Sequence, residues 1–302
     1  MQHKSSKAVF AALFGNLGIA IFKIIAAFFS GSSAMMAEGY HSISDTFNQV
    51  LLLYGLKRSK RKPTRKHPFG YGREQFFWSF VVAIVIFGIA GTLSIREGLH
   101  KYHHPEPITH LGLIYLAIAV GLIFEGYAFS FAFRNIRSEM KEEGHRSFFK
   151  GIQHSKDPTT LTVFFEDLLA MAGLLIAGVA ITLAYLTGVL VIDAIASMLI
   201  GLLLMVFALV LAYEIKGLLL GEAVTPGKRE KILAAVTVFD GVQEILSLKT
   251  MHLSPEEVLV ALEINYKDDM VADDIEALND RIEAGILEII PNARVYLEAE
   301  NK

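Results

Sequence analysis

The chain contains no cysteine. That excludes disulfides and thiolate metal sites, and leaves histidine, aspartate and glutamate as the strong metal ligands. It also lacks a His-Glu-x-x-His segment, the helical signature of a zinc protease. No small-residue cleavage site follows the N-terminal apolar block, which therefore reads as a retained helix rather than a secretory signal. The net charge of −3 says little, because charge is sparse inside the apolar blocks and dense between them.

Long apolar runs dominate what is present. The 302 residues are 53% hydrophobic, and the mean hydropathy is positive. Six runs, near 9–29, 33–56, 76–98, 110–133, 160–186 and 189–213, reach the roughly 20 helical residues needed to cross a hydrocarbon core of about 30 Å. From about residue 217 the composition becomes charged and mixed. The expected architecture is two domains: six transmembrane helices over 1–216 and a soluble domain over 217–302.

Lys57, Arg58, Lys60, Arg61, Lys62, Arg65 and Lys66 crowd the connection between runs two and three. Arg134, Arg137, Lys141, Arg146, Lys150 and Lys156 mark the connection between runs four and five. The other short connections are poorer in Lys and Arg, so the positive-inside rule places these two on the cytoplasmic side. Six spans then put both termini in the cytoplasm, with a bacterial inner membrane as the expected setting. Beside membrane spans, basic runs read as topology signals rather than as nucleic-acid sites.

Run two carries the chemistry. His41 and Asp45 are four residues apart, which places an imidazole and a carboxylate on one helix face, one turn apart. Such a pair is half of a tetrahedral site for a divalent cation. Ionisable groups at membrane depth are costly and mark ion pathways. Glu166 and Asp167 form a second polar pair in run five, after the capping pair Asp157-Pro158. At 1.5 Å per residue, Asp167 lies about 15 Å from its end of the helix and Asp45 about 18 Å from the opposite end, so the two share a depth. Because neighbours on a helix point about 100° apart, only one of Glu166 and Asp167 can face the site squarely. Glu125 in run four is expected to line a vestibule or to make a helix–helix hydrogen bond. Glu38 is expected to make a structural or gating hydrogen bond. Lys23 in run one is expected to snorkel, and Asp193 to serve as a cap or loop contact. Four histidines, His100, His103, His104 and His110, fall in one connection and read as solvated residues with a secondary reading of weak metal capture.

The soluble segment reads helix, strand, strand, helix, strand over 227–239, 242–252, 258–266, 271–290 and 293–299. Pro255-Glu256-Glu257 signals the hairpin, and the second helix has apolar residues at helical period. An αββαβ order implies a small open, ferredoxin-like sheet with helices on one face. Arg73 and Glu222 are expected to form a charge contact.

These motifs resemble the cation diffusion facilitator family. The resemblance rests on Gly-Ser-Ser-Ala-Met-Met-Ala-Glu-Gly-Tyr-His-Ser-Ile-Ser-Asp in run two, His67-Pro-Phe-Gly-Tyr-Gly72 after it, and Asp193-Ala-Ile-Ala-Ser-Met-Leu-Ile-Gly201 in run six. Asp157-Pro158 with Phe165-Glu166-Asp167 is similar to the branch containing the mitochondrial zinc transporter. The resemblance implies a divalent cation exporter, a proton antiporter working by alternating access, with zinc the expected ion and iron(II) or manganese next. It implies no enzyme and no prosthetic group, and a homodimer paired through a cytoplasmic metallochaperone-like domain. Its partners would be metal ions, protons and the lipid bilayer, without nucleic acid. The implied ligands are His41, Asp45 and Asp167. Val163 stands where the family's fourth ligand would be, which leaves Glu166, Glu125, Glu38 or water as further candidates. The family's peripheral histidine pair meets His67 and Tyr71 here, and its soluble-domain zinc histidines meet Ala261 and Glu298, so neither site is carried over. A non-transporting membrane metal sensor would need the same ligands and is the alternative reading.

Overall fold

The computed structural model describes residues 2–142 and 158–300. Arg146, Lys150, Lys156 and the Asp157 cap lie outside the described residues. The helices are α1 Gln2–Ser30, α2 Ser33–Ser59, α3 Glu74–Val85, α4 Thr92–His103, α5 Leu111–Glu142, α6 Pro158–Thr187, α7 Val191–Leu220, α8 Pro226–Thr237 and α9 Ala272–Ile289. A π-helical turn, Ile86–Gly91, joins α3 to α4 into one rod. The strands are β1 Val242–His252, β2 Val258–Tyr266 and β3 Ala293–Ala299.

The residues separate into two compact units, 1–56 with 77–215 and 57–76 with 216–302. The basic connection after α2 therefore belongs with the C-terminal unit, whereas composition alone places it with the helical one.

Among the described residues, five helical stretches are long and apolar enough to cross a membrane: Leu13–Ser30, Glu74–His103, Leu111–Arg134, Phe164–Thr187 and Val191–Leu220. The α2 helix is long enough, but Glu38, His41, Ser42, Ser44, Asp45, Thr46 and Asn48 make it too polar to qualify. All seven side chains are buried. The polarity faces inward while large apolar residues such as Ile123, Phe131, Leu186 and Leu209 face outward, the reverse of a water-soluble fold and the arrangement lipid requires. The core holds many small residues, among them Ala26, Ala34, Ala37, Ala117, Ala177 and Ala196, which let helix backbones approach closely.

Polar ties fix the helix ends. Lys101 Nζ donates to the Gly31 carbonyl at 2.6 Å, and Ser197 Oγ donates to the Ser94 carbonyl at 2.8 Å. Asp193, in the first turn of α7, caps the N-terminus of α2. It accepts from Ser32 Oγ at 2.7 Å, Ser33 N at 2.7 Å, Ser33 Oγ at 3.0 Å and Ala34 N at 3.3 Å.

The second unit is the expected αββαβ arrangement. Thr225 caps α8 by accepting from Lys228 N at 3.4 Å, with Pro226 opening the helix. β2 lies centrally, antiparallel to β1 and parallel to β3. Alternate residues Val258, Val260, Leu262 and Ile264 meet Ile232 and Val236 of α8 and Leu278, Ile282 and Ile286 of α9 in one core, the period-two pattern of a sheet covered on one face. Within this unit Arg58 grips Glu74 through Nε and Nη2 at 3.2 and 2.8 Å. Arg294 sits over the Phe69 ring at 5.8 Å. Arg73 Nη2 donates to Met251 Sδ at 2.7 Å.

Candidate functional site

The site begins with the helical period of α2, which lines Glu38, His41, Asp45 and Asn48 along one buried stripe. His41 Nδ1 and Asp45 Oδ1 stand 3.4 Å apart, in contact but not aligned as a hydrogen bond. Both His41 ring nitrogens, Asp45 Oδ1 and Asp167 Oδ2 are buried without a hydrogen-bond partner. Four such atoms are unusual, since buried polar atoms in folded proteins are almost always satisfied.

Two contacts bracket this stripe against α6. Glu38 Oε1 lies over Gly173, where an added Cβ would come within 2.0 Å of it. Asn48 Nδ2 donates to Glu166 Oε1 at 2.9 Å. Going up α2 from 38 to 48 goes down α6 from 173 to 166, so the helices run antiparallel here. His41 and Asp45 fall between the two contacts on one side, and Asp167 falls beside the lower contact on the other. The α6 carboxyl that reaches Asp45 is that of Glu166. Among the described residues, no group of three or more His, Asp or Glu side chains is already arranged to hold a metal ion. The structure thus joins His41 to Asp45 and Glu166 to Asp45, with Asp167 buried next to them.

Lys23 does not snorkel. It is fully buried, and its ammonium lies 3.2 Å from Glu38 Oε2 and 3.7 Å from Glu125 Oε1, while donating to Ser42 Oγ at 2.8 Å. This engages Glu38 in a hydrogen bond and ties Glu125 to α1. The network escaped the sequence reading because three helices build it. Its one local signal was a lysine in an apolar run. His67 packs on Tyr71 with ring centroids 4.6 Å apart. The rings of His100, on α4, and His104, just past its end, have centroids 5.2 Å apart, and His110 bonds to the Phe29 carbonyl.

Residues 9–220 match the family described as the cation efflux transmembrane domain. The human "Proton-coupled zinc antiporter SLC30A9, mitochondrial" is 30% identical over 260 residues, 86% of this chain and 46% of that protein. "Metal tolerance protein C4" of Arabidopsis thaliana is 31% identical over 270 residues, 89% of this chain and 59% of that protein. A solved MamM CTD in a nickel form matches over 26% of this chain and 99% of its own, at 13% identity and a TM-score of 0.24. The chain spans about half the length of the curated relatives it matches. With its apolar helices, the match makes it an integral, multi-pass membrane protein. The chain belongs to the cation efflux, or cation diffusion facilitator, family, in the branch resembling the mitochondrial zinc transporter, whose members are transporters and not enzymes.

Proposed function

We propose that the chain exports a divalent cation, zinc first and iron(II) or manganese next, through a site formed by His41, Asp45 and Asp167 with Glu166 as the fourth donor. The observation that carries this reading is the set of buried donor atoms of His41, Asp45 and Asp167 that lack hydrogen-bond partners. Imidazole nitrogen and carboxylate oxygen are ligands that zinc accepts. Glu38 and Glu125 are engaged by Lys23, so Glu166, which already reaches Asp45, is favoured over them for the fourth position.

Six spans are assigned by counting α2, whose polar residues are turned inward around the cation. The basic connections then face the cytoplasm, as do both termini, and a bacterial inner membrane is the setting adopted. Alternating access would open the α2–α6 seam to one side and then the other. Metal binding needs neutral imidazole and ionised carboxylates, so protons and metal compete for the same atoms. A proton gradient can therefore return the empty carrier, and similarity to proton-coupled zinc antiporters supports antiport of zinc. The working unit is taken as a homodimer held through the C-terminal unit.

Purified protein in liposomes should take up zinc, and the same assay with manganese, iron(II), cobalt and nickel should rank the ions. Binding without uptake of any of them would convert the reading to a metal sensor.

A further inference from the structure

Lys23 is more elaborately housed than a helix tie requires. Its stem passes Gly121, where an added Cβ would come within 3.2 Å of Lys23 Cε. Its partner Glu38 occupies the space left by Gly173. Two glycines on two other helices therefore open the slot that holds one ion pair. Burying a paired amine and carboxylate is commonly no better than a well-packed apolar pair, so packing alone does not account for a lysine here. Five carboxyl groups, those of Glu38, Asp45, Glu125, Glu166 and Asp167, line the same interior. The ammonium rests on Ser42, the residue next to His41.

We propose that Lys23 is a resident cation that sets the affinity of the transport site, its fixed positive charge weakening capture of a divalent ion and speeding its release. This rests on the metal-transport reading of His41, Asp45 and Asp167. A carrier lined by five carboxyls and no counter-charge would hold a divalent cation too tightly to turn over, because charge attraction is strong where water is excluded. An ammonium that cannot leave offsets part of that attraction without competing for the ligand atoms. It also ties α1 to α2 and α5, so the offset remains in register with the site as the helices move.

The test uses the full chain, with zinc as the probe. Equilibrium affinity is measured in detergent, and KM and kcat in phosphatidylcholine liposomes. Lys23→Gln keeps a polar group for Ser42 and removes the charge. It should tighten zinc binding on the order of tenfold, as expected for losing one nearby like charge, and lower KM and kcat together. Lys23→Arg should restore wild-type values. Glu125→Gln should act in the opposite direction, weakening binding several-fold, because Lys23 then loses a partner. A folded Lys23→Gln protein whose zinc affinity is unchanged or weaker overturns the proposal. Should Lys23→Gln not fold, an unchanged affinity in Glu125→Gln overturns it instead. Wild-type protein that takes up no zinc would remove the transport reading itself, a result separable from normal wild-type uptake with an unaltered Lys23 variant.

Discussion

Replacing Asp193 by alanine should destabilise the helical unit and disturb the site from a distance. The Asp193 carboxylate sits at two helix N-termini, its own on α7 and that of α2, where negative charge is stabilising by about 0.3–1 kcal/mol at each. Removing it leaves the backbone N–H groups of Ser33 and Ala34, bound at 2.7 and 3.3 Å, without their acceptor. A buried donor left unsatisfied costs about 1–3 kcal/mol, the longer bond contributing at the low end. The Ser32 and Ser33 hydroxyls can rotate to other acceptors, so their loss adds little. The total comes to about 3–6 kcal/mol, an unusually large effect for one substitution. Asp193→Asn keeps the volume and one acceptor oxygen and should cost about half as much. Denaturant unfolding in detergent micelles reads the stability, and zinc titration reads the site, because α2 carries His41 and Asp45 downstream of this cap. Zinc affinity should fall in parallel with stability. A shift under about 0.5 kcal/mol for the alanine variant, or asparagine more harmful than alanine, would refute the capping account.

Three other outcomes follow. Zinc binding should weaken as pH falls, because protons and zinc compete for the same imidazole and carboxylate atoms; uptake that ignores both pH gradient and protonophore would rule out proton coupling. Asn48→Ala should free Glu166 from its 2.9 Å bond and reduce zinc affinity several-fold with little change in thermal stability; unchanged affinity would take Glu166 out of the site. Truncation after Gly221 should lower the mass of the detergent-solubilised protein towards that of a monomer, and an unchanged oligomer would move the pairing into the membrane helices.

Much of the architecture was legible because hydrocarbon and hydrogen bonding leave few choices. The apolar runs coincide with α1 and α3 to α7, and the period-two apolar residues of β2 mark a sheet covered on one face. The pairing of His41 with Asp45 followed from helical spacing alone. What failed needed information from other helices. Lys23 was expected to snorkel because a single helix does not disclose that Gly121 and Gly173 open space for its network. Spacing also could not tell which of Glu166 and Asp167 turns to α2, since that depends on the rotation of α6 set by packing. The α2 helix lies below the hydropathy of a span because the site residues themselves dilute it. The 57–76 connection read as a topology signal, and its charge concealed Phe69, which meets Arg294 and Tyr296 of the C-terminal unit.

The most direct test of the central claim is the initial rate of zinc uptake into proteoliposomes by Asp45→Asn and Asp167→Asn, each with its helical content verified by circular dichroism. Both substitutions preserve side-chain size and remove a carboxylate that the proposed site requires. The account predicts uptake at the level of protein-free liposomes for both variants with folding intact. Wild-type uptake by either one would contradict it.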